Sequence, residues 1–133
     1  MESKQETTLK IMIVDDDKFL LDMYSMKFKK SGLEITTAFN GLSALEKLRL
    51  GSEVDIVLLD IIMPGMDGLE LLKMIREEKL VPNAVIIMLT NQADDFEKAK
   101  IYNIDGYIIK ATTIPSEVVE QVLLVYKNKH KNP

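Results

Sequence analysis

The chain has 133 residues, 47% of them apolar and 29% charged, with a formal net charge of −4. This is one domain's worth of sequence with the profile of a soluble globular protein, and its acidic balance argues against nucleic-acid binding through bulk charge. With no cysteine, disulfides, thiolate nucleophiles and cysteine-based zinc sites are excluded and a reducing, cytoplasmic setting fits; any histidine-dependent site would have to use the one histidine, His130.

Residues 1–8 are polar with no apolar run behind them, so no targeting segment is read there. Residues 1–9 are expected to form a disordered arm, 10–127 the folded domain and 128–133 a basic, flexible tail. The first apolar run covers residues 11–14. A helical pattern follows over 18–30, with Leu20, Tyr24 and Phe28 in one stripe, Asp17 as N-cap and Gly32 as C′ stop. The second run, 33–38, carries polar residues, as an edge strand does. A helix over 42–50 stops at Gly51, and a third run spans 56–59. Next come a helix over 69–78 with Leu72 and Ile75 inward, a fourth run at 85–89, and a helix over 93–102. The fifth run, 107–109, precedes a helix with Ser116 as N-cap, Glu117 in its first turn and Lys127 and Lys129 in its last. The longest apolar stretches, such as 84–89, are strand-sized and far short of the ~18 residues of a membrane span.

Strand and helix thus alternate five times, the signature of an α/β fold with one parallel sheet. Four runs are nearly continuous in apolar residues, as strands buried on both faces are. Such sheets bind ligands beyond the carboxyl ends of their strands. The first run is followed there by Asp15, Asp16 and Asp17, the third by Asp60, the fourth by Thr90 and the fifth by Lys110. Carboxylates sharing a crevice repel one another, and an oxygen-only donor set favours Mg²⁺ over zinc. A carboxylate oxygen left free is a nucleophile for phosphorus, and Lys110 and Thr90 supply the cation and hydroxyl that the developing charge needs.

Four segments carry a family resemblance: Val14-Asp15-Asp16-Asp17, the stretch from Leu59-Asp60 through Met63-Pro64 to Met66-Asp67-Gly68, Leu89-Thr90-Asn91, and Tyr107-Ile108-Ile109-Lys110. Together the chain resembles the receiver domain of two-component response regulators. The resemblance implies a flavodoxin-like, doubly wound, five-stranded parallel sheet in order 2-1-3-4-5 with helices on both faces. It implies that Asp60 accepts a phosphoryl group from a phosphohistidine on a sensor histidine kinase or phosphotransfer protein. It implies a Mg²⁺ site made of Asp15, Asp16, Asp60 and the backbone carbonyl of Ile62. Lys110 and Thr90 would contact the phosphoryl oxygens, and Tyr107 would be the aromatic switch that turns inward as Thr90 moves. Such a domain catalyses its own aspartyl phosphorylation and dephosphorylation without being a turnover enzyme. It occupies nearly the whole chain, so the output belongs to another protein or to a segment beyond this sequence. Two departures from the family pattern stand out: Ala111 where proline usually follows the lysine, and Asn91 where a smaller residue usually follows the threonine.

Each residue has a blander reading when taken alone. Asp17 reads as a helix cap, and His130 as a solvated tail residue. Thr90 alone would be a turn hydroxyl and Lys110 a strand-end lysine; joint placement on one sheet edge outweighs these readings. A phosphohydrolase with an aspartate nucleophile commonly has a second Asp two residues on, where this chain has Ile62. A receiver acting as a phosphorylation-independent interaction module is the other competitor, opposed by the intact acidic, Thr and Lys set. The last helix carries two stripes, Val118-Val122-Val125 and Val119-Leu123-Tyr126, with Leu124 outside both. They read either as thorough burial or as a downstream-partner or dimer surface on the fourth helix, fifth strand and fifth helix.

Overall fold

The computed structural model describes residues 8–131; the readings for residues 1–7 and 132–133 lie outside the described residues. Five strands, β1 (Lys10–Val14), β2 (Glu34–Ala38), β3 (Ile56–Leu59), β4 (Val85–Thr90) and β5 (Gly106–Ile109), form a parallel sheet in order β2-β1-β3-β4-β5. The helices are α1 (Lys18–Lys30), α2 (Gly41–Arg49), α3 (Gly68–Glu77), α4 (Phe96–Lys100) and α5 (Pro115–Lys129). This is the flavodoxin-like topology the resemblance implied. The chain winds from β1 outward to β2, then returns past β1 to build β3, β4 and β5, so the crevice between the ends of β1 and β3 lies at the switch point.

The two-residue side-chain period sorts the sheet into two faces. Ile11, Ile13, Ile56, Leu58, Val85, Ile87 and Leu89 pack with Leu21, Tyr24 and Phe28 of α1 and Val118, Val119 and Val122 of α5. The alternate residues Met12, Val14, Val57, Leu59, Ile86 and Met88 pack with α2 and α3 through Leu45, Leu48, Leu71, Leu72 and Ile75. Strands covered on both faces must be apolar throughout, which explains the continuous runs of β1, β3 and β4. β2 lies at the edge and its Ile35, Thr36 and Thr37 are half-buried.

Three helices end in the same hydrogen-bond motif. In α1 the Gly32 N–H reaches Lys29 O and the Leu33 N–H reaches Phe28 O; in α2 Gly51 and Ser52 do the same to Leu48 and Lys47. Both glycines have positive φ, +94° and +97°, as that cap requires. After α3 the position belongs to Lys79, at φ 57°, with Lys79 and Leu80 bonded to Arg76 and Ile75.

The structure corrects several boundaries. The helix expected over 93–102 is a 3₁₀ turn, Ala93–Asp95, followed by only Phe96–Lys100. Neither piece has a side-chain cap, and Ala99 is its one buried residue, so little holds a longer helix in place. The last helix starts at Pro115, not after Ser116. Proline suits the first helical position because it lacks the N–H that would go unpaired there, and the Glu117 carboxylate accepts the Ile114 N–H at 3.3 Å. The helix runs on through Lys129, so the expected tail is helical at 128–129; Lys129 pairs with Asp105 at 2.8 Å and His130 stacks on Tyr126. At the other end Leu9, assigned to the arm, packs against the α1 and α5 core, and its carbonyl accepts the Glu34 N–H. Both stripes of α5 reach the core, with Leu123, Val125 and Tyr126 partly buried, while Leu124 stays exposed.

Candidate functional site

Sheet hydrogen bonding fixes the acidic residues before any side chain does. The Asp15 N–H bonds the Ala38 carbonyl and the Asp60 N–H bonds the Val14 carbonyl, so each aspartate extends its strand by one residue. Asp15 and Asp60 therefore emerge side by side at the carboxyl end of the sheet, and both are buried. Asp16 is exposed at the rim. One carboxylate oxygen from each of Asp15, Asp16 and Asp60 lies within 4.8 Å of the others.

Lys110 neutralises part of this charge. Its Nζ donates to Asp15 Oδ2 at 2.6 Å and to Asp60 Oδ2 at 2.8 Å. The other oxygen of each acid is held by backbone: Asp15 Oδ1 accepts the Asp17 N–H at 2.9 Å and Asp60 Oδ1 accepts the Ile61 N–H at 2.7 Å. Burial alone would pull the Lys110 ammonium down, but the hydrogen bonds and charges of Asp15 and Asp60 outweigh it, and its pKa lies above the ordinary lysine value. Burial pushes the Asp15 carboxyl above its ordinary range, and Lys110 and the Asp17 N–H only partly offset this. The ammonium thus stays charged, while Asp15 holds its own charge at a cost.

These residues border an open cleft of about 320 Å³, also lined by Leu20, Ile62, Thr90, Asn91 and Gln92. Thr90 is buried, and its hydroxyl oxygen accepts the Gln92 N–H at 3.2 Å. Tyr107 is half-buried on the α4 side; its hydroxyl donates to the Gln92 carbonyl, and its ring meets Phe96 edge-on at 5.3 Å. Burial, followed by Asp95 and Asp94, raises the Tyr107 hydroxyl pKa. Asp17 caps α1, its Oδ1 accepting the Leu20 N–H at 3.1 Å, and exposed His130 lies at the end of α5.

Two residues with no assigned role prove structural for the site. A Cβ on Gly68 would lie 2.0 Å from the Asp60 carbonyl oxygen, so only glycine lets α3 start so close behind Asp60. The Gly68 N–H also bonds the Ile61 carbonyl at 2.7 Å. The visible signal was a glycine directly after the capping residue Asp67, which with Glu70 forms a reciprocal capping box. Asn91 is the second: its Oδ1 accepts the Ala111 N–H at 2.8 Å. No proline or cis bond follows Lys110, yet its ammonium reaches both acids.

The donors fit a hard divalent cation. Asp15, Asp16 and Asp60 offer clustered carboxylate oxygens beside the exposed Ile62, with no nitrogen or sulfur ligand among them. Acids at the carboxyl edge of a flavodoxin-like sheet, bridged by one lysine, define the class of signalling domain that the sequence resembled.

Comparison with known proteins agrees. The family model described as response regulator receiver domain matches residues 11–122, and the chain belongs to that family. It is 36% identical over 124 residues to the transcriptional regulatory protein ResD of Bacillus subtilis, covering 92% of this chain and 49% of that one. It is 31% identical over 120 residues to the alkaline phosphatase synthesis transcriptional regulatory protein PhoP of the same organism, covering 89% and 48%. The chain spans about half the length of these curated relatives. Among solved structures it is similar to a CheY-like receiver domain protein from Methanospirillum hungatei (TM-score 0.84, 26% identity, 94% of this chain and 98% of that one). It is also similar to the response regulator TrrA of Thermotoga maritima, solved in complex with Mg²⁺ and BeF (TM-score 0.77, 34% identity, 89% and 99%).

Proposed function

We propose that this receiver domain accepts a phosphoryl group on Asp60 from a phosphohistidine of a sensor histidine kinase or phosphotransfer protein in the cytoplasm. The observation that carries this reading is the Asp60 carboxylate, buried beside Asp15 and gripped by Lys110 Nζ at 2.8 Å. An Asp60 oxygen attacks phosphorus, the phosphorus–nitrogen bond breaks, and the imidazole leaves with the bond's electron pair. Backbone bonding from Ile61 orients the carboxylate, so little reorganisation precedes attack. Lys110 exchanges its Asp60 contact for a phosphoryl oxygen and stabilises the added charge. Asp15, Asp16, Asp60 and the Ile62 carbonyl would hold Mg²⁺, which when bound offsets the charge of carboxylates and phosphoryl group alike.

The response starts at Thr90. Its hydroxyl turns from the Gln92 N–H toward a phosphoryl oxygen, and the loop that holds the Tyr107 hydroxyl through Gln92 moves with it. Tyr107 then turns inward, a two-state element biased by a local charge event. This alters the face made by α4, β5 and α5, where Phe96, Ile101 and Leu124 are exposed, and so changes binding to a downstream protein or to a second copy. The domain acts on itself and not as a turnover enzyme.

The test is intact mass after incubation with acetyl phosphate, with and without Mg²⁺. Wild type gains one phosphoryl group only with Mg²⁺, and Asp60→Asn gains none. No gain under any condition favours a phosphorylation-independent interaction module, and phosphate release over many turnovers favours a hydrolase.

A further inference from the structure

The loops after β4 and β5 are joined by the hydrogen bond from the Ala111 N–H to Asn91 Oδ1, 2.8 Å long and spanning 20 residues of sequence. Strand register brings the two together: Thr90 pairs with Ile109 at the end of the β4–β5 ladder, so Asn91 stands next to Lys110. Beyond the ladder, Lys110–Thr112 form a short 3₁₀ turn, closed by the Thr113 N–H on the Lys110 carbonyl at 3.3 Å. The first N–H groups of such a turn have no partner inside it. Alanine at 111, where the family pattern has proline, leaves one such donor, and Asn91 satisfies it.

Lys110 reaches Asp15 and Asp60 on a flexible four-carbon stem. Where its ammonium lands depends on where its backbone starts, and β5 has already ended at Ile109. We propose that Asn91 is a positioning residue for phosphoryl transfer to Asp60: it anchors the backbone immediately after Lys110 and so keeps the ammonium between the two acids. This rests on the phosphoacceptor reading above. Asn91 also lines the cleft, so it has a second conceivable role, that of narrowing the entrance. The two roles predict opposite signs when the side chain is removed.

The experiment uses the full chain with Mg²⁺ and acetyl phosphate, following the rate of phosphoryl gain by intact mass in wild type, Asn91→Ala and Asn91→Asp. Amide hydrogen exchange at Ala111 is read in parallel by NMR without phosphodonor. Asn91→Ala slows phosphorylation by roughly three- to tenfold, as loss of one modest hydrogen bond would, and speeds Ala111 exchange. Asn91→Asp keeps the acceptor oxygen, so it restores slow exchange and part of the rate. Phosphorylation of Asn91→Ala at or above the wild-type rate overturns the proposal and assigns Asn91 to the entrance; unchanged Ala111 exchange overturns it as well. Wild type that gains no phosphoryl group while Ala111 exchange responds as expected leaves the anchor standing but overturns both the phosphoacceptor reading and the positioning role in phosphoryl transfer.

Discussion

Asp15 carries its charge against the preference of its surroundings. Burial raises its pKa above the ordinary value of 3.8, with the Asp60 charge adding to the rise, and Lys110 only partly restores it. A carboxyl whose folded pKa is raised costs stability once pH exceeds its unfolded value, and the cost grows until pH passes the folded value. Asp15→Asn removes that cost, so the variant is expected to be more stable than wild type at neutral pH. Its advantage shrinks as pH falls through the raised pKa. Urea titrations of both proteins from pH 7 to pH 4 check this; a variant less stable at neutral pH contradicts it. Gly68 has the opposite sensitivity. Gly68→Ala drives a methyl into the Asp60 carbonyl, at 2.0 Å before relaxation. Its expected cost is about 1–3 kcal/mol or more, together with slower phosphorylation, because the backbone displaced is that of the proposed acceptor. Denaturation and phosphorylation rates measured on the same sample test the pairing.

Helix ends were legible wherever a residue type matched a backbone demand. Gly32 and Gly51 marked the ends of α1 and α2 because left-handed φ is open to glycine, and Asp17 marked the start of α1. The end of α3 meets the same demand with Lys79, exposed and at φ 57°. Lys79→Gly therefore stabilises the domain by about 1 kcal/mol, the conformational penalty of a side chain in that region. Thermal unfolding reads the gain, and no increase in Tm counts against it. α4 was the element least legible in advance. Its sequence allows a helix over 93–102, but only Ala99 is buried, and a helix without a buried face is not extended by packing. The same weak anchoring suits a segment that the proposed switch would move with Thr90 and Tyr107.

For the whole molecule, a ligand that binds only the folded site stabilises it by mass action. Saturating Mg²⁺ is expected to raise Tm by several degrees, about 2–3 kcal/mol at a hundredfold excess over Kd. The shift should be lost in Asp15→Asn, and an equal shift there places the ion elsewhere. The α4–β5–α5 face makes a second prediction. A phosphoryl mimic changes self-association or partner affinity, and Ile101→Lys with Leu124→Lys abolishes that change; sedimentation decides, and identical masses with unchanged affinity sink the idea.

By itself the sequence determined the order of elements, the parallel sheet and the side chains at the strand ends. Those features follow from hydrophobic period and local turn chemistry, which neighbouring residues carry. Only the tertiary structure decided what the strand-end residues do to one another. Lys110 holds Asp15 across 95 residues and Asp60 across 50, while Gly68 leaves room behind Asp60 and Asn91 takes the Ala111 N–H. Such contacts depend on register, twist and loop path, and these arise only when the whole sheet closes. The mild acidity of the chain gains a location in the same way. Three of its acids stand within one small cluster because β1 and β3 are neighbours in space, although they are far apart along the chain.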